Sequence, residues 1–136
     1  MPTLSISTEN VCFLVIKMRE FDVQDVETDP GSSSNPSDDR EISVLEDHAD
    51  NPVAFEIRSF VDALNEEERA DLVTLLHVGR GDAALAEWEA VRNEALRQYV
   101  DRTADYVLGQ PMASDYLEEG LAQLGFSCEE FEVNRL

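Results

Sequence analysis

Lysine is almost missing from this chain: Lys17 is the only one, and 10 basic residues in all stand against 30 Asp and Glu, a formal net charge of -20 over 136 residues. Direct DNA or RNA binding is excluded on that ground, because it needs clustered cations to displace phosphate counterions, and the basic residues here stand singly among acids. Anionic membrane surfaces are disfavoured for the same reason. Long apolar runs are missing too. The longest, Val11 to Ile16, is far short of the roughly 20 residues that span a bilayer. The N-terminus lacks a basic region followed by a long apolar stretch and a small-residue cleavage site, so no secretory signal is expected and the chain reads as cytoplasmic. Cysteine is scarce: Cys12 and Cys128 lie at opposite ends. In a cytoplasmic protein two such thiols read as unpaired, with a structural disulfide as the minor alternative. There is no Walker loop, GxGxxG, GxSxG or HExxH, so the reading leans away from an enzyme and no cofactor is expected.

What is present suffices for one core. Apolar residues make up 43% of the chain, enough for a single domain of this length. A radius of gyration of about 14 Å against a screening length of about 8 Å leaves neighbouring surface charges repelling one another, so salt or a cationic partner should stabilise the fold.

The periodicity is helical throughout. Ser7 or Thr8 can cap a helix running to about Glu27, with Val11, Leu14, Val15, Met18 and Phe21 on a broad apolar face that suits a central position. Residues 28–39 combine prolines, a glycine and serines without an apolar residue, which predicts a long mobile loop. A short helix is expected within 40–50. Asn51-Pro52 is a helix start, followed by Val53, Ile57, Phe60, Val61 and Leu64 on one face. Asn65 with Glu68 has the geometry of a capping box, opening a helix from Glu66 to about Val78 that should pack on its predecessor as a hairpin. Gly79 suits the left-handed residue that ends that helix, and Asp82 the cap of the next, which runs to about Tyr99 and buries Leu85, Trp88, Val91, Ala95 and Tyr99. A shorter piece covers Arg102 to Leu108. Pro111 starts a last long helix, where Gly120 allows a neighbour to approach closely and Gly125 closes it. Ser127 with Glu130 is a further capping pattern, and Phe126 and Phe131 can tuck the C-terminus onto the core. No segment alternates long enough to be a strand. The expectation is therefore all-α: a single-domain bundle of about five to seven helices over residues 1–136.

Few groups could carry chemistry. Glu46, Asp47, His48 and Asp50 are the densest polar cluster, with oxygen and imidazole ligands suited to a divalent metal, although clustered acids usually form a solvated face. His77, near the end of an apolar helix and close to Arg80 and Asp82, is the second of two histidines; its ordinary role is to face the last helical carbonyls. Arg80-Gly81-Asp82 is explained by the turn it occupies. Ser32, Ser33 and Ser34 could accept phosphate.

Taken together, Glu46-Asp47, Asn51-Pro52, the run from Phe60-Val61-Asp62-Ala63-Leu64-Asn65 through Gly79-Arg80-Gly81-Asp82, Trp88, Gly109-Gln110-Pro111 and Asp115-Tyr116-Leu117-Glu118-Glu119-Gly120 give the chain a resemblance. It resembles the bacterial proteins grouped as domain of unknown function 3775, from the first helix to about Leu124. That resemblance implies a small acidic helical domain and assigns no activity, cofactor or catalytic residue. Function is therefore read from charge: an interaction or regulatory module for a protein partner with a basic surface. The alternative is a metal-binding protein or metal-dependent enzyme using the 46–50 cluster. A third reading takes the acidity as adaptation to a saline cytoplasm. A homo-oligomer stays open, since the face formed by Tyr116, Leu117, Leu121 and Leu124 could close a core or a dimer.

Overall fold

Ser7 opens the first helix, its hydroxyl accepting from the Asn10 amide at 3.1 Å, as a short polar side chain before an apolar run should. In the computed structural model, which describes residues 3–28 and 51–129, this helix, α1, spans Thr8–Thr28. Five more α-helices follow among the described residues: α2 (Pro52–Asp62), α3 (Glu66–Arg80), α4 (Trp88–Gln98), α5 (Thr103–Leu108) and α6 (Ala113–Gln123). One turn of 3-10 helix, Leu85–Glu87, leads into α4, and another, Val100–Arg102, joins α4 to α5. No strand occurs among the described residues. The fold is an all-α bundle. Of the predicted loop only Thr28 is described, where it ends α1; the rest of it and the predicted helix in 40–50 lie outside the described residues.

Local chemistry sets the starts of α2 and α3. Asn51 Oδ1 accepts from the Val53 and Ala54 amides at 2.8 and 3.2 Å, with Pro52 in the first turn. Asn65 and Glu68 form the full capping box: the Glu68 amide donates to Asn65 Oδ1 at 2.8 Å, and the Asn65 amide to Glu68 Oε1 at 2.9 Å. Glu66, Glu67 and Glu68 add negative charge at the positive end of the α3 dipole.

Packing departs from the expected hairpin. α3 is the hub: it packs most extensively against α6 and then α4, while α2 lies chiefly on α5 and α1. Two glycines explain the choice of partner. A Cβ on Gly79 would sit 1.8 Å from the Tyr116 carbonyl oxygen, and one on Gly120 would sit 2.6 Å from that of Leu75. Only glycine at both places lets the α3 and α6 backbones meet. Gly79 therefore does not end α3. The helix continues to Arg80, and Gly81, with φ 92°, is the left-handed residue that closes it. Asp82 caps no helix; its carboxylate turns back onto Arg80. Gly125, also at φ 92°, follows α6 as expected.

The core gathers Leu14, Val15, Ile57, Val61, Leu72, Leu75, Leu76, Trp88, Leu117 and Leu121, all buried. The Leu117, Leu121 and Leu124 face is thus closed within the chain. Phe126 does not tuck in; it is 44% exposed, and Phe131 lies outside the described residues. Ser127 does turn the chain there, accepting from the Glu129 amide at 3.1 Å.

The cysteines correct the sequence reading. Cys12 and Cys128 are joined in a disulfide, with Cα atoms 5.5 Å apart across a sequence separation of 116, and both are buried. Spacing along the chain hides this proximity. It exists because α1 packs on α6, which brings the start of α1 beside the segment that leaves α6.

Candidate functional site

The sequence-predicted ligands Glu46, Asp47, His48 and Asp50, and the serines 32–34, lie outside the described residues. Among the described residues no group of three or more His, Cys, Asp and Glu is placed to hold a metal ion. The polar cluster that the fold does assemble surrounds His77, in the last turns of α3.

His77 lies among aromatic rings, stacked on Tyr106 with centroids 5.9 Å apart and tilted to Tyr99 at 6.2 Å. Its Nε2 lies 3.2 Å from the Tyr106 hydroxyl, and its Nδ1 3.5 Å from Asp82 Oδ2. Burial, and then the nearby Arg80 guanidinium, hold its pKa below the usual imidazole value, so the ring is neutral at pH 7. Arg80 connects the cluster. It donates through Nε to Asp82 Oδ2 at 2.8 Å, to the Gln110 side-chain oxygen, and through Nη2 to the Tyr106 hydroxyl at 3.2 Å. Asp82 is held below the usual carboxylate range by that guanidinium, and Tyr106 is pushed up by burial, an effect that Arg80 opposes. The sequence placed His77 beside Arg80 and Asp82. Tyr99, Tyr106 and Gln110 arrive only through tertiary packing.

Beside this cluster, α3 and α4 enclose a groove with a cavity of about 270 Å³. Val73 and Ala95, both buried, form the floor with Val91; Asp82, Glu87 and Glu94 supply carboxylates, and His77 and Tyr99 aromatic surface. The spacing that builds it is simple: Ala90, Val91, Ala95 and Tyr99 fall on one face of α4 and its C-cap, and the small alanines leave the space. Glu87 Oε1 accepts from the Ala84 amide at 2.8 Å. Glu94 is engaged by Arg97 at 2.5 Å and by the Gln98 amide.

A second polar group was not foreseen. Asp71, in the middle of α3, is fully buried. It accepts from the Ser5 amide at 2.5 Å, the Ile6 amide at 3.2 Å and Arg92 Nε at 2.8 Å. Arg92 therefore pairs with Asp71 and, at 3.4 Å, with Glu67, rather than with its helical neighbour Glu89. The signal available in sequence was an acid flanked by Ala70, Leu72 and Val73, which reads ambiguously because an exposed face can also carry one.

Most of the described basic residues tie one element to another. Lys17 joins α1 to Glu56 on α2 at 3.0 Å, Arg19 joins α1 to Asp115 and Glu118 on α6, and Arg58 joins α2 to Asp105 on α5 at 2.5 Å. Arg69 donates to the Val100 carbonyl at 2.9 Å, and Arg102 sits over the Tyr99 ring. Asp62, Glu66, Glu89 and Asp101, all exposed, form no ion pair among the described residues. No described helix is long and apolar enough to cross a membrane.

No curated protein and no solved structure matches the chain. A family does match, over residues 54–126, a stretch that holds α3, the groove and Asp71 but leaves out α1 and both cysteines. By this match over more than half of its length, the chain belongs to the family described as protein of unknown function, DUF3775.

Proposed function

We propose that this protein is a non-enzymatic interaction module of the cytoplasm whose partner is a protein with a basic surface. One observation carries the reading. Among the described residues Lys17, Arg19, Arg58 and Arg92 are spent on ties between helices, while exposed acids are left over and an acid-rimmed groove opens between α3 and α4. A field of one sign steers oppositely charged partners and repels others.

A cytoplasmic setting is compatible with the disulfide, because thiol-disulfide exchange needs access to the sulfur and both cysteines are buried. Mass spectrometry of protein alkylated in denaturant without reductant checks the bond: two alkyl groups per chain would mean that it does not persist.

The reading is tested by fluorescence anisotropy with a labelled Lys- and Arg-rich peptide, against an Asp- and Glu-rich peptide of equal length, over a sodium chloride series. Selective capture of the basic peptide that weakens with salt is the expected result. Failure to bind it even at low salt overturns the reading.

A further inference from the structure

We propose that the α3–α4 groove is the docking site for one arginine side chain carried on the partner's basic segment, an inference that rests on the interaction reading above. The cavity of about 270 Å³ is smaller than the roughly 300–1,000 Å³ of pockets for drug-sized ligands, and suits one long side chain. Its floor of Val73, Val91 and Ala95 is aliphatic, as the methylene stem of such a side chain requires.

The carboxylates have acceptor capacity left. Asp82 takes both Arg80 contacts on Oδ2, and Glu87 uses Oε1 for the Ala84 amide. Asp82 Oδ1 and Glu87 Oε2 carry no hydrogen bond among the described residues. Glu94, which also lines the groove, is already occupied by Arg97 and Gln98. A guanidinium is planar, weakly hydrated and has five donors, so it can bridge two separate carboxylates and lie against an aromatic wall; an ammonium is a compact, strongly hydrated charge and does this less well. Arg80 does not line the cavity but holds Asp82 from the Oδ2 side, so Glu87 is the carboxylate of the pair that carries no cation.

The probe is a labelled peptide with one central Arg among Lys and Ala, compared with peptides carrying citrulline or Lys at the centre. Citrulline keeps the shape and removes the charge. Anisotropy at low salt is read for the natural protein, Glu87→Gln, Asp82→Asn and, outside the groove, Asp62→Asn. Glu87→Gln retains an oxygen for the Ala84 amide, and circular dichroism confirms that each variant folds. The expected result is a loss of roughly tenfold for citrulline and for either groove variant, since a charge-assisted hydrogen bond is removed. Asp62→Asn, with the same change in net charge, should bind like the natural protein, and the His77 ring resonances should shift on adding the Arg peptide. If the peptides bind but neither citrulline nor the groove variants matter, docking at this groove is overturned and the module reading stands. If no peptide binds the natural protein, both fall together.

Discussion

Two charged clusters lie less than two turns apart on α3 and are built to opposite specifications. Around Asp71 the site is closed: the carboxylate is fully buried, and two backbone amides and a guanidinium use its acceptors. Around His77 the site is half open, with a cavity alongside and two carboxylate oxygens uncommitted. A buried charge survives only when its partners replace the water it has lost. Asp71 therefore fastens the N-terminal segment, Ser5 and Ile6, to α3 and α4, and offers nothing to a ligand. The partly exposed acids of the groove keep their water and can exchange it for a partner's cation.

The contrast can be broken at its closed end first. Asp71→Ala leaves Arg92 with only its 3.4 Å contact to Glu67 and the buried Ile6 amide unsatisfied; the expected cost is about 3–5 kcal/mol, read by urea unfolding. A cost below about 1 kcal/mol, the range of surface pairs, would show that the node is not closed. The second anchor of α1 is the disulfide. Replacing Cys12 and Cys128 together by Ala should cost about 2–5 kcal/mol, toward the upper end because the bond closes a long segment. An oxidised protein no more stable than this double variant would count against the bond as an anchor.

A third face of α3 carries neither cluster. Gly79→Ala places a Cβ against the Tyr116 carbonyl and must push α6 away, at an expected cost of about 1–3 kcal/mol or more. Unchanged stability would mean that the two backbones are not in contact.

The smallest effect belongs to the open end. Folding lowers the His77 pKa below the usual 6.5, so between the folded value and 6.5 the unfolded chain binds more protons than the folded one. Stability should therefore be flat above 6.5 and decline as pH falls from 6.5 toward the folded value. His77→Gln should remove that slope between about pH 7.5 and about 5.5, with His48→Gln in both proteins so that only one imidazole titrates. An identical slope with and without His77 would assign it to other groups.

The parts of the fold that were legible in sequence are those set by neighbours along the chain. Asn51-Pro52 and Asn65 with Glu68 announced their helices because a capping side chain reaches amides only two or three residues away. Gly120 was readable as a point of close approach because it interrupts an apolar face. Gly79 and Gly81 were confused because both stand where a helix could end, and only the position of Tyr116 distinguishes a packing glycine from a terminating one. The site was half legible. His77, Arg80 and Asp82 are near one another by chain spacing, whereas Tyr99, Tyr106 and Gln110 come from later elements.

The sequence alone determined the helical class, the capped helix starts at Ser7, Asn51 and Asn65, and the strongly negative field, since periodicity, caps and charge are local or additive properties. Tertiary structure decided which acids are spent and which remain available, and that two distant cysteines form one bond. These depend on which helices pack together, and that choice is made by surfaces meeting across the whole chain.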